Sequence, residues 1–215
     1  MKKGLTEIVF ILDRSGSMSG LERDTIGGFN SMIERQKEIK GEAVISTVLF
    51  DDQFQVLHNR LPLEAVRPMT GKDYYVRGST ALLDAIGRGI RKIGNVQKYT
   101  PEEFRAEKVI FVITTDGMEN ASHEYSYEMI KKMVEHQKEM YNWEFIFLGA
   151  NIDALVTAER FGIRRDRAAN YHSDSKGTRT KYKVVGDAIS ELRICSEISD
   201  HWKDEIDEDF KKRQK

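Results

Sequence analysis

The stretch "EIVFILDRSGSMSG", residues 7–20, decides how the chain is read. Five apolar residues, Ile8 to Leu12, run straight into Asp13, and hydroxyl and glycine residues follow. A short run rich in β-branched and aromatic side chains predicts a strand buried on both faces. Asp, Ser and Gly all favour turns, so composition alone makes the residues after it a turn. They also set oxygen donors just past a strand's carboxyl end, where open α/β sheets gather their ligands.

Three further runs have the same character: "VISTVLF" (44–50), "VIFVI" (109–113) and "FIFL" (145–148). Helical stripes lie between them: Ile26, Phe29, Met32 and Ile33; Leu82, Leu83, Ile86, Ile90 and Ile93; Ile130, Met133, Val134 and Gln137; Leu155, Ala158 and Phe161. A last stripe, Val185, Ala188, Ile189, Leu192 and Cys195, predicts a final helix capped by Asp174 or Ser175, with Cys195 buried on its apolar face. After the second run, "FDDQFQVLHN" (50–59) predicts a turn and a short antiparallel edge strand. The alternation predicts an α/β fold: a doubly wound, mostly parallel sheet with one antiparallel edge strand, helices on both faces and right-handed crossovers. No repeat or linker marks a second domain. Residues 1–198 read as one domain and 199–215 as a charged C-terminal tail, either a helical extension or a fraying end.

Composition narrows the function. Thirty-four Lys and Arg against 35 Asp and Glu leave a net charge of −1, with no basic stripe for nucleic acid. The five apolar residues near the start are too few for a signal peptide, and no run approaches the ~20 residues that span a bilayer. A single cysteine, Cys195, permits neither an internal disulfide nor a thiolate cluster. The expectation is a cytoplasmic protein that acts on neither membrane nor nucleic acid. The five histidines form no ligand-spaced pair, and Gly87 and Gly89 form no dinucleotide-binding loop.

Two more segments carry oxygen donors to the same end of the sheet. Asp116 follows "VIFVITT", and Thr80, in "GSTALLDAIG", stands where a loop enters a helix. With strands in the order 3-2-1-4-5-6, the loops after the first and fourth strands meet at the switch point. Carboxylate and hydroxyl oxygens are hard donors that suit Mg²⁺ or Mn²⁺, with Ca²⁺ as a further candidate, rather than Zn²⁺. Neutral hydroxyls hold such an ion without cancelling its charge, so it keeps its attraction for an outside carboxylate. Taken singly, each segment has a plainer role: a turn at 13–20, an N-cap at Thr80, a turn at Asp116-Gly117.

"DRSGSMS" resembles the D-x-S-x-S motif of the von Willebrand factor A (VWA) family, and "GSTALLDAIG" and "VITTDG" resemble its two other motif segments. The likeness spans about residues 5 to 195, and "TIGGFNSMIERQK" and "YYVRGSTALLDAIG" are similar to stand-alone intracellular VWA proteins of bacteria and phages. The resemblance implies a metal-ion-dependent adhesion site of Asp13, Ser15, Ser17, Thr80 and Asp116. It further implies that this site binds Mg²⁺ or Mn²⁺ and grips an Asp or Glu of a protein partner, such as an ATPase or stress-response assembly, without catalysis.

Three alternatives stand beside it. A phosphoryl-transfer enzyme of haloacid dehalogenase type also puts an Asp after its first strand. It needs a second acid two residues on, where this chain has Ser15. A serine hydrolase would need a nucleophile elbow that does not occur. A degenerate scaffold would hold no metal. Around the site, Asp51 and Asp52 read as turn residues, with Asp51 a candidate support. Tyr74, Tyr75, Arg77 and His123 read as candidate rim residues.

Overall fold

The computed structural model describes residues 1–214. Strand β1 (Lys2–Asp13) leads through a short 3₁₀ turn into helix α1 (Glu22–Lys37). The hairpin β2 (Ala43–Phe50) and β3 (Phe54–Pro62) follows, then α2 (Leu82–Tyr99) and β4 (Ala106–Thr115). After α3 (Tyr127–Tyr141) come β5 (Glu144–Gly149), α4 (Ala154–Arg160), β6 (Ala168–Asn170), α5 (Ser175–Cys195) and α6 (Asp204–Arg213). The six strands run in the order β3-β2-β1-β4-β5-β6, parallel except for the antiparallel edge strand β3. This is the predicted doubly wound α/β sheet.

Side chains alternate across the pleat, so each strand feeds two cores. Ile8, Phe10 and Leu12 of β1 join Ile110 and Val112 of β4 under α1 and α5. Val9 and Ile11 join Phe111 and Ile113 under α2 and α3. Burial on both faces is why these strands read as unbroken apolar runs. Among the described residues, no helix is long and apolar enough to cross a membrane.

Register places the strand tips. Asp13 pairs with Phe50 of β2, and Leu12 pairs with Thr114 of β4, so Asp13 ends its strand beside Thr115. Three local expectations are corrected. The N-cap of α2 is Ala81, and Thr80 caps nothing with its side chain. Cys195, in the last turn of α5, is exposed; Arg193 is buried there instead, donating to the carbonyls of Gln36, Ile39 and Gly41 at and just past the end of α1. The charged end does not prolong α5, which stops at Ser196 in the left-handed conformation. After a turn, α6 packs back on the domain with Trp202 and Ile206 in the core.

Candidate metal site

Asp13, Ser15, Ser17, Thr80 and Asp116 come together at the carboxyl ends of β1 and β4. Asp13 is 1 % exposed, and its carboxylate organises the loop. Oδ1 accepts the Ser15 N–H at 2.7 Å, while Oδ2 accepts the Thr115 hydroxyl at 2.7 Å and the Asp116 N–H at 3.2 Å. The tight loop after β1 then turns the Ser15 and Ser17 hydroxyls toward one another, 3.1 Å apart. Gly16 N donates to the Gly78 carbonyl, which docks this loop on the segment that carries Thr80.

Thr80 is fixed by its neighbours across the cleft. Its N–H donates to Asn120 Oδ1 at 2.9 Å, and its carbonyl accepts the Asn120 N–H at 3.1 Å. Glu119 and Asp84 pin the rest of that loop: Glu119 accepts from Leu83, Ala121 and Ser122, and Asp84 accepts three successive N–H groups, His123 to Tyr125. The Ser17 and Thr80 hydroxyls converge beside Gly117. A Cβ there would lie 3.3 Å from Ser17 Oγ and 3.8 Å from Thr80 Oγ1, so Ser17, Thr80 and the Asp116 backbone bound one small space.

The donor set suits a hard divalent cation. In an octahedron with arms of about 2.1 Å, adjacent oxygens lie about 3.0 Å apart. The 3.1 Å between the Ser15 and Ser17 hydroxyls matches two neighbouring corners. Among the described residues, no cluster of three or more His, Cys, Asp or Glu has metal-holding geometry, so the fit rests on two carboxylates and three hydroxyls.

Sequence reasoning missed two residues on Asp116. Asn151 Nδ2 donates to Oδ1 and Ser173 Oγ donates to Oδ2. Asn151 sits just past β5 and was readable by the strand-tip rule that found Asp13. Ser173 follows the three-residue β6, which has no apolar run to announce it. Burial pushes the Asp116 carboxyl above the usual range and the Asp13 charge adds to this, while Ser173, Asn151 and Lys181 act against it.

Beside the site, Asp51 is a support rather than a simple turn residue. Its Oδ2 accepts from Arg14 Nε at 2.8 Å and from Arg77 Nε at 2.7 Å, and both guanidinium groups lie 5.6 Å from the Tyr75 ring. Tyr74 is buried, and its hydroxyl donates to the Asp13 carbonyl at 2.6 Å. At His123, only the backbone N–H serves the site loop.

No family model matches the chain, and no curated protein is significantly similar to it. Solved structures do match. The pilus adhesin SpaC from Lactobacillus rhamnosus GG, in an open conformation, aligns with a TM-score of 0.65 at 9% identity over 89% of this chain and 30% of its own. A von Willebrand factor type A structure from Catenulispora acidiphila aligns at 0.57 and 13% identity, over 85% of this chain and 42% of its own. The conserved hypothetical protein BatB from Bacteroides thetaiotaomicron aligns at 0.52 and 14% identity, over 87% of this chain and 98% of its own. This chain spans less than half the length of the first two. At these identities the likeness shows the fold, which is that of VWA-type domains.

Proposed function

We propose that the protein is a non-enzymatic, metal-dependent protein-interaction module of the stand-alone intracellular VWA type. Asp13, Ser15, Ser17, Thr80 and Asp116 hold Mg²⁺ or Mn²⁺, and a partner protein completes the site with an Asp or Glu carboxylate. The observation that carries this reading is the convergence of the Ser15 and Ser17 hydroxyls, hydrogen-bonded at 3.1 Å, with two buried carboxylates at the tips of β1 and β4. When bound, the ion supplies a positive charge for the partner's acid. The chain's own part is to present neutral hydroxyls toward that charge and to keep the two carboxylates ordered behind them.

Surrounding features support the same reading. The exposed Ser17 and Met118 and the half-exposed Tyr75 leave the mouth of the site open to a macromolecule. Arg77 adds a partly exposed cation at the rim, favouring an acidic approach. The phosphoryl-transfer alternative gains nothing: position 15 is a serine whose hydroxyl faces Ser17, so no general acid stands two residues after Asp13.

A pull-down with the purified protein from a bacterial lysate in Mg²⁺ tests the reading, with EDTA and Asp116→Ala as controls. Loss of the captured protein under both controls is expected. Capture that survives both would move the interaction off this face.

A further inference from the structure

Directly beneath the strand tips lies a buried polar layer that the site described so far does not use. Tyr171 donates its hydroxyl at 3.3 Å to the carbonyl of Thr115, the same residue whose side chain holds Asp13. Lys181 of α5 reaches up to this hydroxyl, with Nζ 3.4 Å away. The ammonium also lies 4.4 Å from the centre of the Tyr171 ring and 4.9 Å from that of Tyr182. Lys181 is 0 % exposed, and no carboxylate comes within ion-pair distance of it among the described residues.

A lysine in such a place needs a reason. A fully buried ammonium with one hydrogen-bond partner is costly to desolvate, and a methionine would fill an aromatic cage without that cost. Aromatic faces attract the cation but do not neutralise it. The charges that act on Lys181 are those of Asp116 and Asp13, each 1 % exposed. The effect is mutual: Lys181 acts on Asp116 against both burial and the repulsion from Asp13. Burial draws the ammonium down to about 8, while the charges of Asp116 and Asp13 act to hold its proton.

We propose, on the reading of the site given above, that Lys181 is its internal counter-ion. From the buried side it balances one of the two negative charges of Asp13 and Asp116, and so sets how tightly a divalent cation is held. Without a divalent ion, the two carboxylates and Lys181 sum to one negative charge. With one, the same groups sum to one positive charge, which a single carboxylate from outside cancels. Lys181 therefore trades metal affinity for a lasting demand for an acid. It is a positioning residue, since it touches neither ion nor partner.

Calorimetric titration with MnCl₂ on the wild type, Lys181→Met and Lys181→Arg tests this. Lys181→Met is expected to bind Mn²⁺ at least tenfold more tightly than the wild type, and Lys181→Arg, which keeps the charge, to stay within threefold of it. Equal affinity in Lys181→Met and wild type would overturn the proposal. A second arm in EDTA needs no metal: the melting temperature lost through Lys181→Met is compared with the loss from the same change in an Asp116→Asn background. A smaller loss in that background, including a Lys181→Met that folds only there, supports charge balance. An equal loss in both, or failure to fold in both, overturns it. A wild type that binds no Mn²⁺ defeats the metal reading itself, while the EDTA arm still judges the lysine.

Discussion

The Thr115 hydroxyl donates to Asp13 Oδ2 at 2.7 Å, joining the tip of β4 to the tip of β1 by a charge-assisted bond in the interior. Two backbone groups share the same carboxylate, the N–H of Ser15 and that of Asp116. Asp13 is thus a structural hub as well as a candidate ligand. Thr115→Val keeps the shape and removes the donor. Hydrogen bonds to charged groups contribute about 1.5–3 kcal/mol, and urea unfolding in EDTA should show a loss of that order. A change below a few tenths would mean that the two backbone donors alone hold the loop.

Asp51 lies between Arg14 and Arg77, and the Arg14–Asp51 pair has no solvent exposure. Burial raises the Asp51 carboxyl, but the Arg77 guanidinium, the Gln53 N–H and Arg14 outweigh it and hold it below the ordinary carboxylate range. A lowered folded value stabilises the protein above the unfolded value, about 3.9, and that contribution is lost as pH falls through the folded one. The stability gap between the wild type and Asp51→Asn should therefore be full at pH 5–7 and close below about pH 4. At neutral pH it should be about 3–5 kcal/mol, because Arg14 is left buried without its charge partner. Chemical denaturation across pH 3–7 checks both the size and the sign.

Helix α6 is part of the fold. Phe210 stacks on His172 with ring centres 4.7 Å apart, and its carbonyl lies 3.0 Å from His172 Nε2. Arg213 pairs with Asp174, and Lys176 with Asp209. These contacts fasten the loop that delivers Ser173 to Asp116. Ile206, 1 % exposed, anchors the helix. Ile206→Ala should cost about 2–4 kcal/mol through the cavity it leaves. Hydrogen exchange should then show early opening at residues 171–175. Unchanged protection there would separate α6 from the site.

Close approach of the backbone matters at one glycine of α5. A methyl at Gly177 would run into the His172 carbonyl, in the turn that carries Ser173. Gly177→Ala should destabilise by about 1–3 kcal/mol, the usual cost of forced overpacking. It should also weaken Mn²⁺ binding, since Asp116 loses its fixed donor. A variant as stable as wild type would show that the turn relaxes freely.

Much of the architecture was legible because β1, β2, β4 and β5 are covered on both faces and so read as continuous apolar runs. Asp13 and Asp116 were legible because each ends such a run. What stayed hidden had no such signal. β6 is three residues of Ala and Asn, so nothing pointed to Ser173. Lys181 looked like one polar residue among many in "TRTKYKVV", and only tertiary packing reveals that α5 turns it inward. Cys195 falls on the apolar stripe, yet it is the last residue of α5, and Ile194 and Ser196 beside it are exposed as well. The charged composition of the C-terminal segment concealed two buried anchors, because Trp202, in the turn before α6, and Ile206, within it, are too few to form a pattern.

Crystals of the protein grown with MnCl₂ and measured at the manganese edge bear most directly on the proposed ion. The expected result is one anomalous peak about 2.1–2.3 Å from the Ser15 and Ser17 hydroxyls, absent from Asp13→Ala crystals grown alike. Well-diffracting crystals with no peak between the tips of β1 and β4 would contradict a metal at this site.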